Sequence, residues 1–438
     1  MAMTDDGLER ITLRKAALRL TPLLTISYLI AYLDRVNISF AALQMNQDLK
    51  FSAAVYGLGG GLFFLGYAFS EIPSNLLLVK FGPRRWIARI MLTWGVLSVG
   101  MMFVRTPAQF YVMRALLGMA EAGFFPGVVY YLTLWFPRAH RGRAISRFYV
   151  ASPLSALVGG AVAGSLLGLQ GKLGLAGWQW LFLVEGMPAV LMSLVIWRLL
   201  PDKPADVSWL EANEKDWLAR RLAAEAAAVG DRPEHSLLRA LRNPFVLVMG
   251  AVNFLTLGAT YAFTFSAPII LKAVTHLESA QVGYLVAIGG GLGVAAMLLN
   301  GWHSDHSRER FIHMAAPMVL MAASFVVMSV STAPVVVMAA YLAAVTFSMG
   351  VSAIMWLIPA EQLRPREAAV GLAAINSIGQ VGSFLAPTIW GLLRDGTGSY
   401  DLGLKLLPAP FLLAALIIML MRRGARQAML PSSPGAGS

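Results

Sequence analysis

The sequence contains no cysteine, which removes disulfides, thiolate metal sites and cysteine nucleophiles together. It is also poor in charge: Asp, Glu, Lys and Arg make up 13% of 438 residues, against about 25% in a soluble domain. The six histidines show no HExxH-type spacing, and no Walker or GxGxxG sequence follows a strand-like run. Metal-assisted hydrolysis, ATP-driven work and dinucleotide chemistry therefore have no support, and no cofactor or metal is expected. A nucleophile–base set is missing as well, so an enzyme is not expected. The apolar–polar alternation of transmembrane β-strands is absent. The opening stretch, MAMTDDGLERITLRKAALRL, mixes acids and bases around no apolar core. It is not expected to be a cleaved signal peptide, so the first apolar span is expected to stay in the mature protein.

What fills the sequence instead is long apolar runs: 57% of residues are hydrophobic and the mean hydropathy is +0.65. A bilayer core takes roughly 20 helical residues. Twelve such runs are present, at about 20–42, 52–77, 87–104, 109–136, 145–169, 178–200, 244–273, 280–301, 312–331, 334–359, 368–393 and 405–421. The expected fold is an all-α membrane protein of twelve transmembrane helices in a lipid bilayer.

Lysine and arginine set the direction. Of 35 basic residues, six lie in the loops on one side (Lys50, Arg105, Lys172, Lys272, Arg394, Lys405) and two, Arg35 and Arg114, lie inside spans. The other 27 fall with the termini and the opposite loops, which places both termini in the cytoplasm. This bias accounts for most of the net charge of +12, so no nucleic-acid partner is implied.

The longest polar interval, 201–243, divides the spans six and six. It is expected to be a cytoplasmic linker of short amphipathic helices, ended by Gly230 and Pro233, between bundles at 1–200 and 244–438. The halves repeat: GWHSDHSRER after span 8 matches NLLLVKFGPR after span 2, and IPAEQLRPREA after span 10 matches WFPRAHRGRA after span 4, at nearly equal offsets.

Ionisable groups at bilayer depth cost about 2.5–3.5 kcal/mol each on insertion scales, so those present are pairing or lining water. In span 4, Arg114 and Glu121 are seven residues apart and share a helix face, as a buried pair or as a proton site at Glu121 beside its arginine. In span 1, Tyr28, Tyr32, Arg35 and Ser39 form one stripe, and Asp34 lies about 100° round the helix from Arg35. Arg35 suits a carboxylate ligand because its planar fork matches two oxygens; the alternative is an internal ion pair. Asp34 is a candidate for a proton-linked role. Asn376 and Gln380, one turn apart in span 11, are candidate substrate contacts, with Trp356 of span 10 on another polar stripe. Tyr67 is either a wall of that site or ordinary packing. The serines and threonines of spans 7, 10 and 11 are expected to pack or bond their own helix. Glu71 and Glu185, nearer span ends, are expected to be structural hydrogen-bonding partners.

The run Gly301-x-x-x-Asp305-x-x-Arg308-x-Arg310 resembles the loop motif of the major facilitator superfamily, whose first-half copy here keeps Lys80, Gly82, Arg84 and Arg85. Val79 and Asn75 stand where that family usually has Asp and Gly. YLDRVNISFA, GYAFSEIPSNLLL, GPRRWIARIMLTWG, RALLGMAEAGFFPGVVYYLTLWFP and GWQWLFLVEGMPAV followed by LPDKPADVSWL resemble one branch, the anion:cation symporter family, most closely its bacterial tartrate-, phthalate- and galactonate-type carriers. The resemblance covers nearly all of the first half and the second more loosely. It implies two six-helix bundles rocking about a midplane site, a bacterial inner-membrane location, and proton-coupled uptake of a small organic anion by one chain acting as a monomer. It also implies proton coupling at Asp34 and Glu121, an anion ligand at Arg35, an ion-pair partner for the span-4 acid at Arg114, and cavity tyrosines at Tyr32 and Tyr67. Asp305, Arg308, Arg310, Arg84 and Arg85 would form the gating loops. Ser152 stands where galactonate-type members carry a glutamine that contacts the sugar acid, which leaves smaller or more apolar carboxylates open. An exporter or exchanger of the same fold is the alternative. A non-transporting nutrient sensor is more remote, because such proteins usually carry long cytoplasmic extensions and the tails here are short.

Overall fold

A computed structural model describes residues 5–149, 151–228, 242–363 and 365–429. Among these residues there is no strand, and twelve helices are long and apolar enough to cross a bilayer. They are α1 (Asp5–Asp48), α2 (Ala53–Phe81), α3 (Pro83–Phe103), α4 (Pro107–Thr133), α5 (Arg138–Leu167), α6 (Gly177–Leu199), α7 (Pro244–Thr275), α8 (Ser279–Ser307), α9 (Phe311–Val330), α10 (Pro334–Gln362), α11 (Val370–Thr397) and α12 (Asp401–Arg423). An even number of passes brings the two ends of the chain to one face, called here the terminal face; the other is the distal face.

The main departure from the expected spans is α1. Its 44 residues measure about 66 Å at 1.5 Å per residue, twice the bilayer core. The extra turns at its start are amphipathic and docked: Lys15 Nζ lies 2.7 Å from Glu214, the Arg19 guanidinium sits 4.7 Å above the Trp209 ring, and His140 contacts Glu9 at 2.6 Å. Glu214 belongs to the helix Ala212–Ala228, so the first part of the linker is helical. Gly230 and Pro233, expected to end that structure, lie outside the described residues.

Buried apolar side chains fall into two clusters. One runs from Leu8 to Leu218 and takes in Phe265 of α7; the other runs from Val246 to Ile418. Two seams join the bundles. Antiparallel α2 and α11 meet along most of their length, from Ala53 against Gly391 through Gly57 against Pro387 and Gly61 against Phe384 to Glu71 against Asn376. The second seam, α5 against α8, is made by small residues in its distal half: a Cβ on Gly160 would stand 2.5 Å from the Gly283 carbonyl oxygen, and one on Gly290 would stand 2.6 Å from the Leu157 amide. Only glycine lets these backbones come so close. At the distal face the Asp395 carboxylate accepts from the amides of Ala53 and Ala54, at 3.0 and 2.9 Å, neutralising two of the unpaired donors at the start of α2.

Near the terminal face the arrangement is open. A cavity of about 1090 Å³ lies between the first half of α1 and the start of α5, lined by Arg10, Arg14, Thr25, Phe136, Arg143 and Arg147 among others.

Candidate functional site

The site begins with a broken helix. α4 is regular from Pro107 to Glu121, and a capping box between Thr106 and Gln109 fixes its start. It stops at Glu121 and restarts at Phe124. Two residues explain the break. Pro126 has no N–H to bond the carbonyl of Ala122 four residues back, and Gly123 takes φ 86°, a left-handed conformation that favours glycine. The interruption puts Glu121 on a helix end near the middle of α4, where backbone and side chain can both serve a site.

Glu121 is 1% exposed and forms an ion pair with Arg35 of α1, through one carboxylate oxygen and one guanidinium nitrogen. Glu121 Oε2 and Arg35 Nε have no hydrogen-bond partner among the described residues. Aromatic rings surround the guanidinium, with Tyr32 and Tyr67 each 5.3 Å from it and Phe63 at 5.7 Å. Tyr261 of α7 adds its side chain to the Arg35 group from the second bundle, its ring packed 4.3 Å from that of Phe64. Tyr28 continues the α1 stripe, edge-on to Tyr32 at 5.0 Å. Along that stripe the terminal-face cavity starts at Thr25, ten residues or about 15 Å from Arg35.

The expected partnership of Arg114 with Glu121 is not formed. Arg114, fully buried, directs Nε at the Gly59 carbonyl oxygen (3.3 Å) and its guanidinium lies 4.8 Å above Phe63; both terminal nitrogens lack partners. Geometry decides this: two turns of α4 separate Arg114 from Glu121, whereas Arg35 comes from a facing helix. Asp34 points away from Arg35. It is wholly buried and accepts hydrogen bonds at Oδ1 from Ser98 of α3 and from Asn37 Nδ2, the latter at 3.0 Å.

Asn376, expected at the substrate, instead donates to both oxygens of Glu71 across the α2–α11 seam, at 3.1 and 3.2 Å. Glu71 is therefore a hydrogen-bonding partner, as expected, and the bond crosses between the bundles. Gln380 is 7% exposed with Oε1 unpartnered, and Trp356 sits at the break in α10, packed on the second core. Ser152 is buried. The expected self-bonding holds for Thr256, Ser352 and Ser383, each of which donates to the carbonyl four residues back.

At the terminal face Arg310 links Asp305 (2.5 Å) to Glu361 (2.9 Å), and Glu309 pairs with Arg422 at 2.8 Å. Arg308 serves by backbone, capping α8 at φ 50°. In the first-half copy, where Val79 replaces the acid, the Arg84 amide donates to Asp202 at 2.9 Å and its side chain to the Trp197 carbonyl. No contact of Arg85 stands out beside these. Ser98, Tyr261, Asp202 and Glu361 were not singled out from sequence; each is brought in by a segment distant along the chain, Asp202 by the bend after α6 and the others by helices, and only the polar serine in the apolar α3 carried a local signal.

Comparison with known proteins fits this geometry. Residues 24–387 match the family described as Major Facilitator Superfamily. A protein of Agrobacterium vitis, provisionally named as a tartrate transporter, is 42% identical over 424 residues, 96% of this chain and 97% of its own. A quinolone resistance transporter of Acinetobacter baumannii is 38% identical, covering 91% of this chain and 92% of its own. Among solved structures, a bacterial homolog of the human lysosomal transporter Spinster, inward-facing and unoccupied, superposes with a TM-score of 0.77 at 17% identity, over 96% of this chain and 99% of that one.

Proposed function

The chain belongs to the Major Facilitator Superfamily, a multi-pass membrane transporter and not an enzyme, and from that premise we propose that it takes up a small organic anion together with protons by alternating access. The observation that carries the proposal is the single-contact pair between Arg35 and Glu121. An arginine held by one oxygen, with its Nε free, can be handed to a carboxylate that offers two oxygens. Proton arrival at Glu121 removes the internal competitor, and the substrate carboxylate takes its place among Tyr32, Tyr67 and Tyr261. Asp34, kept off Arg35 by Ser98 and Asn37, is the second proton site.

In this scheme Arg114 supports the cluster electrostatically without holding Glu121 directly, and Gln380 is the substrate contact offered by α11. Trp356 flanks the path from α10, and Asn376 works through Glu71. The network of Asp305, Arg308 and Arg310, with Arg84 and Arg85 opposite, stabilises the state in which the terminal face is shut. The bundles 1–200 and 244–438 rock about the linker 201–243, with the terminal face in the cytoplasm of a bacterial inner membrane and one chain sufficient. The relative named for tartrate favours a hydroxy-dicarboxylate or similar acid.

The test is uptake into proteoliposomes loaded at higher pH than the bath, with tartrate, phthalate and a sugar acid as separate substrates. Accumulation above the bath concentration that a protonophore abolishes is the expected result. Accumulation that persists with protonophore refutes coupling, and failure of all three acids refutes the substrate class. The quinolone-resistance relative favours an exporter as the second reading; uptake of a quinolone into inside-out vesicles with no carboxylate transport would establish it.

A further inference from the structure

Glu185 of α6 was expected to be a structural hydrogen-bonding group near a span end. It is 4% exposed, and neither carboxyl oxygen has a hydrogen-bond partner among the described residues. Its surroundings are specific. Asn37 and Asp34 of α1 are the groups that act on it. From α3 it meets backbone and Ser98: a Cβ on the adjacent Gly186 would lie 2.9 Å from the Val99 amide and 3.0 Å from Ser98 Oγ. Arg114 and Glu121 of α4 are the charged groups that act on Asp34. Among the described residues neither Glu185 oxygen is paired with a basic side chain.

Asn37 supplies the missing half of the pattern. Its Nδ2 donates to Asp34, and its Oδ1, also buried, has no donor. Two buried oxygens of Glu185 and one of Asn37 all want a hydrogen, and an ionised carboxylate cannot provide one. A protonated carboxyl can. Its O–H would donate to Asn37 Oδ1, holding the amide so that Nδ2 points to Asp34. Charge agrees: Arg35 and Arg114 match Asp34 and Glu121 in number, and Glu71 is a further buried carboxyl, so an ionised Glu185 would add to the buried acid beside another carboxylate without a cation to match it.

We propose that Glu185 is a proton-bearing positioning residue, which through Asn37 orients the amide donor that keeps Asp34 ready as a proton acceptor. The infrared part of the test stands apart from the proposed function, and the uptake part rests on it. Infrared spectra of purified protein should contain the carbonyl stretch of a buried protonated carboxyl that disappears in Glu185→Gln. In proteoliposomes Glu185→Gln should keep gradient-driven accumulation within about twofold, because its amide N–H replaces the O–H toward Asn37. Glu185→Leu, which cannot donate, should lose about tenfold, one proton's worth per unit of pH gradient. An unchanged infrared band in Glu185→Gln overturns the proposal, as does wild-type accumulation by Glu185→Leu. Should either variant fail to fold, Asn37→Ala carries the test: the Glu185 band must shift when its acceptor is removed, and an unmoved band overturns the proposal. A wild-type protein that does not couple uptake to protons would refute the proposed function while leaving the infrared result to decide this one.

Discussion

Glu121→Gln is the substitution whose effect is easiest to work out. The Arg35–Glu121 contact is one charge-assisted hydrogen bond between side chains 13% and 1% exposed, worth about 1.5–3 kcal/mol net. A substrate carboxylate that binds Arg35 has to break it first, so that energy is subtracted from the affinity of the unprotonated carrier. Glutamine keeps the shape and the break in α4 but removes the charge. At 1.4 kcal/mol per tenfold, anion affinity should rise roughly 10- to 150-fold. Loss of the buried counter-ion should also destabilise the unliganded protein by about 3–5 kcal/mol, and saturating anion should restore most of it. Titration calorimetry at alkaline pH measures the first effect, and thermal unfolding with and without anion the second. Exchange of internal for external anion should survive, while accumulation on a pH gradient should fail. Affinity equal to or weaker than wild type, with accumulation intact, would show that Glu121 does not compete for Arg35.

Three further substitutions probe the scaffold. Asn376→Leu leaves Glu71 without its donor and should lower stability by about 1–3 kcal/mol. The anion KM should change by no more than about threefold, and a larger loss would return Asn376 to the substrate. Gly160→Leu places a side chain where only 2.5 Å separates its Cβ from the Gly283 carbonyl, so the distal seam should open. Asn46 lines a cleft of about 440 Å³ at the distal face together with Phe51, Lys272 and Arg394. A thiol reagent on Asn46→Cys should then react faster than in the parent, and the cysteine-free sequence gives that measurement no background. Arg310→Ala removes two contacts to acids 68% and 51% exposed, so less than about 1 kcal/mol of stability should go. Exchange should nevertheless slow; a collapse in thermal stability instead would mark the network as structural.

The membrane spans were legible because hydropathy is summed over many residues and tolerates local exceptions. The stripe of Tyr28, Tyr32 and Arg35 was legible for a similar reason, since helical spacing fixes which side chains share a face. Partner choice was not. Arg114 and Glu121 look paired along α4, yet the facing helix α1 brings Arg35 closer to the acid, and no spacing rule within one helix records that. Asn376 and Glu71 are 305 residues apart, and their meeting depends on the register of α2 against α11, set by glycines at 57 and 61. Glu185 was placed correctly along α6, whose bounds were legible to within one residue, but its surroundings were not: its burial follows from how closely α6 packs on α3 at Gly186.

The buried charges also predict how transport should depend on voltage. With Glu71 and Glu185 unchanged through the cycle, Arg35, Arg114, Asp34 and Glu121 sum to zero, and they share poorly hydrated surroundings in which uncompensated charge is expensive. A dianion entering at Arg35 brings two negative charges, and protonation of both Glu121 and Asp34 cancels them. The loaded carrier then has the same charge as the empty one and should cross without regard to potential. A monoanion entering with the same two protons carries one net positive charge inward, worth about 2.3 kcal/mol per 100 mV. Its limiting accumulation should therefore rise about 50-fold for each 100 mV, inside negative. Valinomycin with graded potassium sets the potential of proteoliposomes at constant pH gradient, so a dicarboxylate and a monocarboxylate can be compared on one preparation. Dicarboxylate accumulation that climbs with potential, or monocarboxylate accumulation that ignores it, would show that Asp34 and Glu121 are not protonated together on the loaded carrier.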